Sequence, residues 1–267
     1  MTSPATASDS SSPVLTEVRA GVARVTLNRP QQFNALSMAV LDALEQALER
    51  LAANRDVRVV VIAAAGKAFC PGHDLKEMAS ERTPEFIGRL FAKCCRIMLG
   101  LTRMPQPVIA RVHGIATAAG CQLVAACDLA VAASDARFAT SGINYGLFCA
   151  TPGVPLSRSI GRKQALEMLL TGEFIDAETA LRWGLVNRIA PPAELDAAVD
   201  ALAHTLLAKP PAALAQGKRF FYSQIEQGMA QAYEEAAALI TSQMLADEAL
   251  EGVNAFMAKR KPDWSPQ

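Results

Sequence analysis

Residues 107–133 read PVIARVHGIATAAGCQLVAACDLAVAA, and their pattern decides the fold. Pro107 to Val112 is an apolar run broken only by Arg111, as expected of a strand buried on both faces of a parallel sheet. A loop of small residues follows, then a short helix predicted from about Gly120 to Cys127, then a second apolar strand, Asp128 to Ala133. Strand, helix and strand in this order require a layered α/β core with parallel pairing, because parallel neighbours need a crossover between them.

The same order occurs upstream. Val57 to Ala63 (VRVVVIA) is another buried strand, and Phe86, Leu90, Cys94, Ile97 and Leu101 mark an amphipathic helix that Met104 to Pro107 interrupts. Val14 to Asn28 reads as two alternating runs about an Ala20-Gly21 turn, a hairpin ended by Asn28-Arg29-Pro30. Leu41, Leu44, Leu48 and Leu51 then recur at helical spacing behind Ser37, a candidate N-cap, and this helix ends near Asn54. Downstream, Val186 to Ile189 gives one more short strand. After Pro191-Pro192 the pattern is helical alone: Glu194 to Leu207, Ala212 to about Gln227, and Met229 to about Asp247. Their wide Ala and Leu faces are expected to pack on the core or on another subunit.

The 267 residues, 51% of them hydrophobic, suffice for one large core. The 26 basic and 26 acidic residues cancel, so no bulk field favours nucleic acid or a membrane surface, and an anionic ligand must be met locally. Cys70, Cys94, Cys95, Cys121, Cys127 and Cys149 form no CxxC pair and no metal-ligand spacing with histidine. No metal is expected, the thiols read as reduced, and the location as cytoplasmic. Residues 1–13, MTSPATASDSSSP, carry no arginine, lysine or apolar run, and read as a loose tail without leader character. No stretch approaches the roughly 20 apolar residues that a membrane span requires.

Two loops can do chemistry. Ala64 to Met78 (AAGKAFCPGHDLKEM) leaves one buried strand, and His113 to Leu123 (HGIATAAGCQL) leaves another. Both sit at the carboxyl ends of parallel strands, where α/β folds place ligands. Gly66 and Gly72 let main-chain NH groups turn toward a bound atom. A helix beginning near Ala119 presents unpaired NH groups and a positive dipole end to an oxygen acquiring charge. Two such loops facing one pocket would make an oxyanion hole.

KAFCPGHDLKEM resembles the first oxyanion motif of the crotonase (enoyl-CoA hydratase/isomerase) superfamily, and GIATAAGCQLVAACD resembles its second, with Gly-Gly-Gly-Cys-Glu replaced by Ala-Ala-Gly-Cys-Gln. The likeness continues through FATSGINYGLFCATPG, GRKQALEMLLTGEFIDAETALRWGLVNRI and EGVNAFMAKRKPDW, covering nearly everything after Val14. It is nearest to the enoyl-CoA hydratase domain-containing branch that lacks both usual glutamates. The resemblance implies an α/β right-handed spiral of strand-strand-helix units over residues 14–200, and a C-terminal helical oligomerisation region over residues 201–267. It also implies a homotrimer or a dimer of trimers.

The resemblance further implies an acyl-CoA substrate, in fatty acyl-CoA metabolism, with coenzyme A entering as part of the substrate and no separate cofactor. His73 and Ala119 match the two NH donors. Ala64, Gly66, Lys67, Ala68 and Phe69 match the coenzyme A loop, joined by Phe256 and Lys259 from a neighbouring subunit's tail. Asp74, Leu75, Gly120, Gly142, Phe148 and Cys149 complete the substrate contacts, and Met78, Phe86 and Leu90 are expected near the acyl tail.

Hydration needs groups that position and deprotonate a water. Where the family's hydratases carry two glutamates, this chain has Gln122 and Gly142. Gln122 can hydrogen-bond but cannot act as a base, and Gly142 has no side chain. The nearest label that the resemblance implies is an enoyl-CoA hydratase whose oxyanion hole stabilises a thioester enolate; the alternatives are decarboxylation of a malonyl-type acyl-CoA, or a regulator that binds acyl-CoA without turnover. Asp74 has the competing role of N-cap to a Leu75–Met78 helix, the His73 imidazole that of local packing, and Cys149 those of nucleophile or apolar filler. A carboxylate among Asp74, Glu77, Glu81 and Glu85 could replace the missing base if it faced the acyl group.

Overall fold

The computed structural model describes residues 11–264. Of the expected N-terminal tail, residues 1–10 lie outside the described residues. The hairpin is present as β1 (Val14–Arg19) and β2 (Val22–Leu27), antiparallel, with Ala20 and Gly21 both at positive φ in the turn. α1 (Met38–Ala53) begins where the Ser37 side chain accepts from the Val40 NH, and buries Leu41, Leu44, Leu48 and Leu51. β3 (Val59–Ala64), buried at every residue, leads to α2 (Leu75–Ser80) and the long α3 (Pro84–Arg103). Thr83 caps α3 and Pro84 supplies its first turn with the φ a helix needs.

Two strand-strand-helix turns follow: β4 (Val108–Val112), β5 (Ile115–Thr117) and α4 (Ala119–Ala126), then β6 (Leu129–Ala133), β7 (Arg137–Ala139) and α5 (Ala150–Ser159). After these come α6 (Arg162–Thr171), β8 (Ile175–Asp176), α7 (Ala177–Trp183) and β9 (Arg188–Ala190). The main sheet runs β1-β2-β3-β4-β6-β9, parallel from β2 onward, and a small second sheet runs β5-β7-β8. α4 is buried at every residue but Ala125, which suits its almost wholly apolar sequence.

The chain ends in α8 (Leu195–Leu207), α9 (Pro211–Gln224), α10 (Met229–Met244) and α11 (Asp247–Met257). The expected domain boundary at 200/201 falls inside α8, which buries Leu195, Val199, Leu202 and Ala203 against the main sheet and so belongs with the core. α9 and α10 bury no residue fully. α9 is tied down instead by a polar latch: the Lys218 ammonium donates to the carbonyls of Leu101 and Gln106 and pairs with Asp128 at 2.7 Å, and the Tyr222 hydroxyl donates to the same carboxylate. Asp128 is therefore not the first residue of the strand that the sequence suggested. Its carboxylate also accepts from the Val108 NH, joining the starts of β4 and β6 to α9. The helix expected to run from Met229 to Asp247 stops at Met244, and α11 is a separate helix.

Candidate active site

Three extended segments lie side by side at the carboxyl end of the sheet. Cys70 pairs in parallel with Ala116, its NH donating to the Ile115 carbonyl and its carbonyl accepting from Thr117. Three residues on, the chain pairs with Leu36 on the other side, through the Gly72 carbonyl and the Asp74 NH. In a parallel bridge the residue between those two groups turns its own NH away from the partner. The His73 NH thus faces the side on which Ala118 and Ala119 lie.

Gly72 makes this approach possible. At φ 102° it adopts a backbone closed to other residues, and a Cβ there would come within 2.9 Å of the Ala118 Cβ and 3.2 Å of the Ala119 nitrogen. Gly120 is equally constrained, since a Cβ would run into the Cys70 carbonyl, and Gly114 lies against the Lys67 carbonyl in the same way. The two loops are in backbone contact at three glycines. Ala118, immediately before α4, has φ 49° and ψ −120°, a conformation that costs an alanine energy. It is held by its NH donating to the Ala139 carbonyl. The Ala119 NH is the first of the helix donors left without an intrahelical acceptor.

Around this gap the side chains offer little charge. Gln122 is buried, and the Cys94 thiol points at its Oε1 from 4.0 Å, so the amide NH2 is the end left to donate. Gly142 donates its NH to the Cys149 Sγ at 3.3 Å. The Cys149 thiol is buried and pushed up by burial, which fits a filler and not a nucleophile. The carboxylates of the first loop are occupied. Asp74 caps α2 through the NH groups of Lys76 and Glu77 and pairs with Arg29 at 3.3 Å; Glu77 accepts from the Met38 NH at 2.9 Å. Glu81 and Glu85 are exposed. Burial lowers the His73 imidazole to about 4, so it is neutral; its ring meets Phe91 edge-on at 4.9 Å, and its buried Nε2 has no partner among the described residues.

The loop carrying Ala64, Gly66, Lys67, Ala68 and Phe69 is fixed from both sides. Asn34, fully buried at φ 66°, donates from Nδ2 to the carbonyls of Ala65 and Ala68 and accepts from the Arg29 NH. From the other side His113 reaches the Gly66 carbonyl. Neither residue stood out in the sequence. Asn34 carries no motif chemistry, and its only hint is a polar residue between a turn and an apolar run. A crevice of about 430 Å³ opens on the α8 side of this loop, lined by Ala64, Gly66, Lys67, Arg111, His113 and Leu195 among others, and not by His73 or Ala119.

Leu75 and Phe148 are exposed, whereas Phe69, Phe86 and Leu90 put their side chains into the core. Phe256 and Lys259 lie at the exposed end of α11, on the side of the chain held at Ala208 by Trp264. Within one chain they do not join the loop.

An α/β spiral that gathers two glycine-built loops and a helix amino end at one edge of its sheet defines the class of protein. The chain matches the family profile described as enoyl-CoA hydratase/isomerase over residues 17–267. It is 41% identical over 261 residues to mouse enoyl-CoA hydratase domain-containing protein 3, mitochondrial, covering 97% of this chain and 87% of that one. The human protein of the same name is 42% identical over 245 residues, covering 92% and 81%. Among solved structures, an enoyl-CoA hydratase of Mycobacterium smegmatis superposes with a TM-score of 0.92 at 57% identity, covering 94% and 98% of the two chains. Human enoyl Coenzyme A hydratase domain-containing protein 3 also gives 0.92, at 40% identity, covering 94% and 100%. The chain belongs to the enoyl-CoA hydratase/isomerase (crotonase) family, in its hydratase domain-containing branch. The cytoplasmic location expected from the sequence is overturned by the mouse and human relatives first named, both of which are named mitochondrial. That expectation rested on residues 1–13 and on reduced thiols, which suit more than one reducing compartment.

Proposed function

We propose that this protein binds an acyl-CoA thioester with the carbonyl oxygen between the backbone NH groups of His73 and Ala119, and that it stabilises the enolate formed there. The observation that carries this reading is the contact of the two loops at Gly72, whose Cα side abuts the Ala119 nitrogen while the neighbouring His73 NH turns the same way. Two fixed amides in a desolvated gap require no reorganisation when charge develops on an oxygen, which is how such a site accelerates a reaction. The α4 dipole adds to them. The nucleotide end of coenzyme A would lie along residues 64–69, and the coenzyme enters as the thiol half of the thioester substrate and not as a resident cofactor. A crystal structure with acetoacetyl-CoA tests this: the thioester oxygen is expected within about 3.1 Å of both nitrogens, and an oxygen placed elsewhere sinks the assignment.

The occupied carboxylates favour a reaction without a protein base. Loss of carbon dioxide from a malonyl-type thioester leaves its electron pair on the α carbon, delocalised onto the thioester oxygen, with no proton to remove. Turnover of methylmalonyl-CoA with none of crotonyl-CoA supports this second reading; rapid water addition to crotonyl-CoA removes it. Assembly as a trimer or a dimer of trimers is supported by the apolar residues that α9–α11 expose, among them Phe221, Met229, Tyr233, Ile240, Leu245 and Phe256. A monomer mass in solution would overturn it.

A further inference from the structure

We infer that His113 is a positioning residue for the coenzyme A loop. It donates from Nε2 to the Gly66 carbonyl at 2.9 Å, and its Nδ1 accepts from the Arg111 guanidinium at 3.1 Å. A guanidinium can only donate, so its presence on Nδ1 leaves the proton on Nε2, where the Gly66 carbonyl needs it. Arg111 is itself held in a fork by Asp196, with Nε on one oxygen and NH2 on the other, both at 2.8 Å. Asp196 lies in the first turn of α8 and also pairs with Arg24 of β2.

A chain of directed hydrogen bonds therefore runs from α8 through β4 to one carbonyl of the loop. It matters at Gly66 because that residue has φ 82° and its Cα side lies against Pro30, so the peptide plane there has few alternatives that keep the loop in place. With Asn34 holding Ala65 and Ala68 from the opposite side, His113 completes a clamp on three carbonyls of the loop, those of Ala65, Gly66 and Ala68. The charged groups facing the His113 ring are Arg111, Asp135 and Asp196, with Arg24 and Lys67 lining the same crevice. Protonation would place a hydrogen on Nδ1 against Arg111 and break the chain at its middle. This inference rests on residues 64–69 being the coenzyme A loop.

The test is equilibrium binding of free coenzyme A and of pantetheine, which lacks the nucleotide, to the intact protein. His113→Ala is expected to weaken coenzyme A by about fivefold, as for loss of one hydrogen bond, with pantetheine unchanged. His113→Gln, whose amide can still donate to Gly66, is expected to keep most of the affinity. Wild-type affinity for coenzyme A should fall more steeply than that of His113→Gln as pH drops below the ordinary imidazole range. Wild-type coenzyme A preference that His113→Ala leaves intact overturns the positioning role alone. Equal wild-type affinity for coenzyme A and pantetheine overturns the loop reading and this inference with it. If His113→Ala fails to fold, Arg111→Met keeps the imidazole and removes the group that orients it, together with the Asp196 ion pair; no loss of coenzyme A affinity in that variant is the overturning result.

Discussion

The Cys149 thiol occupies the space in which a side chain at residue 142 would begin: a Cβ on Gly142 would lie 2.7 Å from the Cys149 Sγ and equally close to the Leu147 carbonyl. The glycine is thus not a simple loss, because the neighbouring loop has closed over the position. Gly142→Glu is expected to destabilise the protein by about 1–3 kcal/mol through overpacking. Adding Cys149→Gly should recover part of this and not all, since the Leu147 carbonyl remains. Chemical denaturation of the single and double variants checks it, and a Gly142→Glu variant as stable as the parent would show that the loop yields freely.

Ala118 carries backbone strain at the start of α4, with φ 49°. Glycine meets no Cβ penalty there, so Ala118→Gly is expected to stabilise the fold by about 1 kcal/mol, offset in part by the entropy of a freer unfolded chain. In a chain of this size the undiminished gain corresponds to about 2–4 °C in Tm, which is the upper bound on the expected rise. A fall in Tm by scanning calorimetry would mean that the alanine methyl contributes packing that outweighs the strain.

His73 gives the fold an acid weakness. Its folded-state value of about 4 lies below the 6.5 of the free side chain. As pH falls, the unfolded chain therefore binds a proton first, and stability is lost between about 6.5 and about 4 while being fully present above that window. The loss amounts to about 3 kcal/mol at its acid end. His73→Leu keeps the backbone NH, removes a buried Nε2 without a partner, and should flatten that part of the stability profile. An identical pH dependence in the two proteins would assign the acid loss to other groups.

The inner strands β3, β4 and β6 were legible as nearly continuous apolar runs and the β1–β2 hairpin from its alternation, whereas the last strand, expected at Val186–Ile189, lies at Arg188–Ala190. The second sheet was not, because Ile115–Thr117, Arg137–Ala139 and Ile175–Asp176 are too short to show a period, and tertiary context alone makes them strands. Both loops of the candidate site could be found from their glycines and their position after strands. What holds them could not. His113 meets Gly66 across 47 residues of sequence, and nothing local marks either as a partner. The closure of Cys149 over Gly142 was equally invisible, since the sequence shows a missing glutamate but not that its space is filled.

The Asp128–Lys218 pair shows the same limit with larger energetic weight. Lys218 is almost wholly buried and spends its three donors on two carbonyls and one carboxylate; Asp128 is met by a lysine, a tyrosine hydroxyl and a backbone NH. Burial pushes the Asp128 carboxyl up and the Lys218 ammonium down, and the hydrogen bonds to both partners hold the pair ionised against it. Lys218→Met would leave a buried carboxylate and two carbonyls without their cation, at a cost of about 3–5 kcal/mol. Tyr222→Phe removes one hydrogen bond to a charged group and should cost about 1.5–3 kcal/mol. Because α9 carries few buried apolar contacts, loosening this latch should release α9–α11 before the sheet unfolds. Hydrogen exchange is expected to show early loss of protection in residues 211–257, while the β3 and β4 amides stay protected. Loss of protection at the same rate in helices and sheet would show that the latch serves the whole fold and not the attachment of its C-terminal helices.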